Sequence, residues 1–525
     1  MKRRNFLKYS GAAAAWASFP FRGFSINPAP QLPFLQALAT GGNPNDRILV
    51  LVQLIGGNDG LNTFIPLDQY GNLSKVRSSV LIPENNVLKL NGALANGLHP
   101  AMTHFRDMYN DGLVSVVQNV GYPNQDYSHF RSTDIWMSAS DADELLETGW
   151  AGRYLQSLHP AFPDGYPNPD NPDPLAIQIG SVVSLALMGN TVPMGMAIAD
   201  PSAYYQFVND VVETAPDTPY GHELEFIRLV AQQAQVYYQS IKGAADVGQN
   251  LSTKYPAPEQ NYLADQLKIV AQLISGGLRT PIYIVTLDGF DTHSEQVDGT
   301  FGNAEGAHAD LLFKVSEAIA AFQDDLKLLG VDDRVAGMTF SEFGRTIASN
   351  GSLGTDHGAA APLFAFGKNV IPGIIGANPQ IPDDPFASAD LPMQHDFRSV
   401  YASALQDWFG IGNPESILNQ TYPILPIFKA GATGTNYLEK PSIEASNFPN
   451  PFHSATTFTI TIEGGYLSIH LIDLSGRVLQ TVVEGNYPGG THRVTFNRTP
   501  DLPPGTYFYQ IKVNGKTVTK KLLMI

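Results

Sequence analysis

No cysteine occurs anywhere in the 525 residues. That absence excludes disulfides, a thiolate nucleophile and any zinc or iron–sulfur site built on sulfur. A metal in this chain must be held by His, Asp, Glu and Asn, a donor set that suits zinc, manganese, magnesium or calcium. Charge is sparse at 15% and leans acidic, with 49 Asp and Glu against 32 Lys and Arg, a formal −17. That sign argues against nucleic acid or an anionic membrane as the main partner. Long apolar runs are missing as well: no stretch approaches the ~18 residues of a membrane span. With 43% hydrophobic residues the chain is globular, and its length exceeds what one core usually supports, so two domains are expected.

The N-terminus, "MKRRNFLKYSGAAAAWASFP", has a basic start followed by a short run of small apolar residues. This is the layout of an export signal, expected over residues 1–27 with cleavage between about Ala17 and Asn27. Arg3 and Arg4 resemble a twin-arginine signal, which implies the twin-arginine translocase as a partner. An ordinary secretory signal that happens to carry two arginines is the alternative.

From Arg47 to about Gly410 the chain alternates two textures. "ILVLVQLIGG", "LVSVVQNVG", "PLAIQIG", "PIYIVTLDG", "RVAGMTFSE" and "PLFAFG" are short continuous apolar runs, as strands buried on both faces are. Between them, "HELEFIRLVAQQAQVYYQSI" and "HADLLFKVSEAIAAFQDDLKLL" have helical period. The alternation predicts an α/β domain over residues 40–430, three layers deep, with mostly parallel strands and helices on both faces. Residues 431–441 read as a linker. From 442 to 525 polar and apolar residues alternate, with turn signals every eight to twelve residues, which predicts a small antiparallel β-sandwich. From Asn436 on, eight basic residues outnumber six acidic ones, so the acidity belongs to the larger domain.

Ligands of parallel sheets bind beyond the carboxyl ends of the strands. Those positions are polar here. "RILVLVQLIGGNDG" delivers Asp59, "PIYIVTLDGFDTH" delivers Asp288, Asp291 and His293, and "RVAGMTFSEFGR" delivers Glu342 and Arg345. The following loop, "GTDHG", holds Asp356 and His357 between glycines. Taken singly, each has a plain structural explanation: a turn, a helix cap, or an ion pair between Glu342 and Arg345. Crowded carboxylates raise one another's pKa unless a cation compensates, so the set favours divalent metal, with enough donors for two ions. "DYSHFRSTDIW" offers Ser128, Ser132 and Thr133 at a helix start, beside His129 and Arg131. Ser128 is the first choice of nucleophile, with N-capping as its structural alternative. Arg345 and Arg131 are candidate clamps for a phosphate or sulfate. Trp136 and Trp150 read as core or sugar-stacking residues rather than catalytic ones.

The ordered motifs "GGNDGLN", "DYSHFRSTDIW", "GWAGRYL", "GFDTHSEQ", "SEFGRT", "GTDHG" and "DFRSVY" resemble domain-of-unknown-function family 1501, of the alkaline-phosphatase-like and sulfatase superfamily. That resemblance implies an alkaline-phosphatase-like sheet and a bimetallic site. Asp59 would be the first-strand ligand, Asp291 and His293 a middle pair, and Asp356 and His357 a last pair. A further histidine would come from His395 or His308. The superfamily usually spaces its middle Asp and His further apart than this chain does.

In the tail, "NFPNPF", "IHLIDLSGRVLQ", "LPPGTYFYQI" and the terminal "KKLLMI" resemble the type A C-terminal sorting domain of type IX secretion. It implies the type IX machinery as a partner, and passage through the periplasm to secretion or the cell surface. Such a tail behind a twin-arginine signal is an unusual pairing, since these cargoes commonly enter by the general secretory route.

The function these features predict is an exported metal-dependent hydrolase of phosphate or sulfate esters. Its substrate would be an anionic ester, of glycan origin in one version. Two alternatives remain: a non-catalytic, metal-stabilised surface or glycan-binding protein that keeps the fold, and a calcium-stabilised adhesin. The two paired histidines oppose the last, because calcium prefers oxygen ligands.

Overall fold

The computed structural model describes residues 46–429, apart from 169, 191, 200–236 and 385–387. It also describes residues 444–524, apart from 451, 463, 473–476, 500–501, 504 and 514–515. The stretches expected to be a twin-arginine export signal and a linker, and most of "HELEFIRLVAQQAQVYYQSI", lie outside the described residues. Contacts divide the chain into two units, Met1–Gly431 and Ala432–Ile525.

The first unit is built on a nine-stranded sheet. Its strands are β1 (Ile48–Leu54), β2 (Val114–Gly121), β3 (Ala176–Ile179), β4 (Met196–Ile198), β5 (Ile282–Leu287), β6 (Val335–Phe340), β7 (Ala361–Phe366), β8 (Gly373–Ile375) and β9 (His395–Asp396). They lie in the order β8-β2-β7-β6-β1-β5-β3-β4, with β9 added alongside β2. All six apolar runs singled out in the sequence are strands of this sheet. Every residue of β1, β2 and β6 is buried, which requires cover on both faces and explains why their sequences do not alternate.

The sheet is mostly parallel. β1 pairs in parallel with β5 on one side, Val52 opposite Val285, and with β6 on the other, Val52 opposite Thr339. Only β7 is reversed among these neighbours, running antiparallel to both β2 and β6. Helices cover the sheet, among them α1 (Gly60–Thr63), α2 (His129–Ser138), α3 (Tyr262–Ser275), α4 (Ala307–Leu328) and α5 (Phe397–Ser403). The amide of Asn261 caps α3 by accepting from the Ala264 N–H, and α4 buries an apolar stripe that includes Leu312, Val315, Ile319 and Phe322. Trp136 and Trp150 are core residues: Trp136 stacks on Phe340 and Phe397, and Trp150 on Tyr401.

The second unit consists of two antiparallel sheets. One contains Glu444–Phe448, Ala455–Ile462 and Gly490–Asn497; the other contains Gly465–Ile472, Val478–Tyr487, Gly505–Val513 and Lys516–Met524. Alternate residues such as Phe458, Ile460, Ile469, Leu471, Tyr509 and Ile511 make its core.

Two histidines are sealed inside the first unit. His99 and His308 are each 1% exposed, with ring centroids 5.9 Å apart. Burial, helped by His308, pushes His99 down to about 3, and burial pushes His308 down to about 4. The unfolded chain, with histidines near 6.5, therefore binds protons that the folded chain refuses. Stability is full above pH 6.5 and falls as the pH drops through that window towards 4. His308 alone accounts for about 3 kcal/mol of this loss, at ~1.4 kcal/mol per pKa unit. Urea midpoints at pH 7 and pH 5 should show the drop, and His308→Gln should flatten it; equal slopes would remove His308 from the account.

Candidate metal centre

Because β6, β1 and β5 run parallel and adjacent, their carboxyl ends open on one edge of the sheet. The chain leaves β1 through Gly56 and Gly57, both with positive φ. A Cβ on Gly56 would stand 2.2 Å from the Asp291 backbone nitrogen, so glycine is what lets the loops after β1 and β5 touch. Past β6, Arg345 pairs with His357 in a two-residue antiparallel ladder, Gly344–Arg345 against His357–Gly358. In "GTDHG" the glycine requirement is again one of approach: a Cβ on Gly354 would lie 2.3 Å from the His293 carbonyl oxygen. His129 arrives from another side, at the start of α2, which follows β2.

These segments converge on Asp291. Its Oδ1 lies 2.8 Å from Arg345 Nη2, 3.2 Å from His293 Nε2 and 3.3 Å from His357 Nε2; its Oδ2 lies 3.4 Å from His129 Nε2. The opposite nitrogen of each ring is held by an oxygen. His357 Nδ1 is 2.8 Å from the Tyr127 carbonyl, His293 Nδ1 is 3.0 Å from Asp356 Oδ1, and His129 Nδ1 is 2.8 Å from Glu342 Oε1. Carbonyl and carboxylate oxygens only accept, so Nδ1 carries a hydrogen in all three rings, and whenever a ring is neutral its Nε2 carries the lone pair.

The Nε2 atoms of His293 and His357 are 2.8 Å apart. Two lone pairs at that distance, beside a carboxylate, repel unless a cation lies among them. The donor set therefore fits a metal ion: His129, Asp291 and His357 bring ligand atoms within 4.8 Å of one another, and His293 adjoins them. The electrostatics agree. Burial, reinforced by the Arg345 charge, pulls His357 below its ordinary value and keeps it neutral near pH 7. Burial works against Asp291, yet the Arg345 hydrogen bond and charge hold it below the usual carboxylate range. The Asn350 amide, then His293, does the same for Asp356. The cluster opens to solvent, with 48% of the Asp291 side chain and 44% of the His293 side chain exposed.

Other residues singled out in the sequence stand elsewhere. Asp59 is 1% exposed and faces the Arg77 guanidinium and, at 2.6 Å, the Gln296 amide, apart from the imidazoles. His395 lies on β9 beside Val120 of β2 and makes none of the cluster's contacts, while Asp396 caps α5 by accepting from the Arg398 N–H. His308 meets Asn58 rather than the cluster.

Both arginines are engaged by backbone carbonyls. Arg345 is 1% exposed and donates to the carbonyls of Gly56, Gly57, Phe290 and Thr355, which ties three loops together. Arg131 donates to the carbonyls of Asp141, Ala142 and Glu144. Ser128 is exposed at the N-cap of α2, its hydroxyl makes no capping bond, and it directly precedes His129.

His129 is the residue that motif spacing passed over. Alone at a helix start it has no partner in the local sequence. Searching for imidazole after every strand, rather than only after those ending in carboxylates, would have found it.

Residues 232–421 match a family model described as "Protein of unknown function (DUF1501)", and residues 446–525 match one described as "Secretion system C-terminal sorting domain". No curated protein matches the chain. Among solved structures, a protein in the alkaline phosphatase superfamily from Vibrio parahaemolyticus is similar at 12% identity, covering 89% of this chain and 85% of its own, with TM-score 0.34. A sulfatase from Pseudoalteromonas sp. is similar at 12% identity, covering 89% and 86%, with TM-score 0.33. A lipoteichoic acid synthase from Listeria monocytogenes gives 10% identity, 87% and 90% coverage, and TM-score 0.29. Likenesses this distant carry no argument about chemistry. The chain thus carries one segment that matches the DUF1501 model and, after it, one that matches the secretion system C-terminal sorting domain model.

Proposed function

We propose that this protein is an exported metal-dependent hydrolase that cleaves phosphate or sulfate esters with water, giving an alcohol and the free anion. The observation that carries the reading is the convergence of three imidazole Nε2 atoms on Asp291 at a solvent-open sheet edge. His129, Asp291 and His357 would hold the ion, with His293 beside them. Nitrogen donors in this number favour a borderline ion such as zinc over magnesium or calcium. When bound, the ion would polarise the ester and lower the pKa of water at its open position. These residues form one ligand set, so one ion is proposed rather than two. Ser128, exposed and next to His129, is the proposed nucleophile. Its Oγ would take the phosphoryl or sulfuryl group as the alcohol leaves, and water would then release the free anion and restore the serine. The first-turn N–H groups of α2 favour an anion there.

Export follows from the sorting domain, and we propose the type IX machinery as its reader. Among the described residues no helix is long and apolar enough to cross a membrane.

One observation favours a second reading, a metal-stabilised surface protein without catalysis: Arg345 is buried on backbone carbonyls and Asp291, and Arg131 Nη2 is held by the carbonyls that follow α2. The two separate in one experiment. Purified full-length protein loaded with zinc or manganese should hydrolyse an aryl phosphate or aryl sulfate, and His357→Ala should not. Stoichiometric metal with no hydrolysis of either ester selects the second reading; no bound metal and no hydrolysis removes both.

A further inference from the structure

The three oxygen acceptors behind the imidazoles are not equivalent. Tyr127 offers a neutral carbonyl to His357, and Asp356, more than half exposed, offers a carboxylate screened by water to His293. Glu342 is different: its side chain is 1% exposed, and Oε1 accepts from both His129 Nδ1 at 2.8 Å and the Gly56 N–H at 2.8 Å. Ser341 Oγ lies 3.3 Å from Oε2, while donating to the Leu54 carbonyl at 2.7 Å. The carboxylate is thus tied to the turn leaving β1 and to the end of β6, and it stands between the sheet and the His129 ring. Among the described residues no arginine or lysine forms an ion pair with its oxygens; its ionic partner there is His129.

We infer that Glu342 is a positioning residue for His129, setting which ring nitrogen is bare and how strongly it binds a cation, rather than an acid or base acting on substrate. The inference rests on the metal reading above. A buried carboxylate accepting from an imidazole N–H fixes the tautomer, locks the ring and makes its other nitrogen more basic, an effect that water would weaken. Glu342 also explains how a histidine at the first residue of a helix is aimed accurately. The phenyl ring of Phe343 packs against His129 at 4.8 Å between centroids and against His357 at 4.4 Å, while those two rings meet each other edge-on at 4.5 Å, so the residue after Glu342 braces the imidazole pair from one side. Metal affinity is therefore written partly into the turns that leave β1 and β6, through the Gly56 N–H and the Ser341 hydroxyl.

The test uses full-length protein, cobalt as the probe ion, a competing chelator and the visible ligand-field spectrum. Glu342→Gln keeps an oxygen for His129 and Gly56 but removes the charge. It should bind cobalt about 10-fold more weakly with a spectrum close to wild type. Glu342→Ala should weaken binding by about 100-fold and shift the spectrum, because the ring is no longer held. If the alanine variant fails to fold, the glutamine variant decides alone. Glu342→Gln binding within about twofold of wild type would overturn the inference and leave the metal reading intact. Wild-type protein that binds no cobalt, zinc or manganese would overturn the metal reading itself.

Discussion

Replacing Asp291 with alanine is expected to abolish stoichiometric metal binding while leaving the protein folded. Asp291 is the one carboxylate within 3.4 Å of all three imidazoles, so its loss removes a ligand and the negative charge that a bound cation would neutralise. The loss should exceed the roughly 10–100-fold penalty of an outer-shell change. Folding should survive for a specific reason. Arg345, the other group bound to Asp291, keeps its bonds to the carbonyls of Gly56, Gly57, Phe290 and Thr355. Asp291 itself is half exposed, but Arg345 is fully buried and loses its carboxylate partner, so a modest loss of stability should accompany the loss of metal. Metal content after dialysis against a weak chelator measures the effect, with circular dichroism as the folding control. Asp59→Asn is the informative comparison. Since Asp59 stands apart from the cluster, that variant should keep its metal, and loss of metal in Asp59→Asn with retention in Asp291→Ala would reverse the assignment.

Arg77→Met should destabilise the first unit by about 3–5 kcal/mol, the largest effect on folding expected here. Arg77 and Asp59 form an ion pair with side chains 0% and 1% exposed. Desolvating two charges is costly, and such a pair is tolerated because each cancels the other. Remove the guanidinium, and Asp59 keeps only the Gln296 amide at 2.6 Å, with Oδ1 already lacking a partner. A carboxylate so placed must lose its hydration without compensation. The double variant Arg77→Met/Asp59→Asn removes both charges and should recover most of the loss, because the penalty comes from the orphaned charge more than from the missing attraction. Urea denaturation followed by tryptophan fluorescence reads both. A single variant within about 1 kcal/mol of wild type, against the 3–5 expected, would show that the site is solvated on the folding timescale.

The glycines of "GTDHG" show how sequence and structure divide the work. In sequence, glycine beside Asp and His reads as freedom to turn. In the structure Gly354 has no unusual φ, and its function is to let the loop pass against the His293 carbonyl. The requirement comes from a segment about sixty residues earlier. Local sequence can indicate that a side chain is unwanted, but not which neighbour forbids it.

Composition and hydrophobic period determined much of this protein by themselves. The lack of cysteine restricted any metal to nitrogen and oxygen ligands, and continuous apolar runs marked the buried strands because each strand's burial is written in its own residues. The rule that parallel strands present ligands at their carboxyl ends then pointed to Asp291, His293, Asp356 and His357, which the structure brings together. Only the tertiary structure decided the rest. It placed His129 opposite Asp291, turned Arg345 and Arg131 onto backbone carbonyls, and paired Asp59 with Arg77. The physical reason is range. Strand formation is decided within a few residues, whereas the role of a charged side chain depends on its direction and on a partner that folding brings from far along the chain.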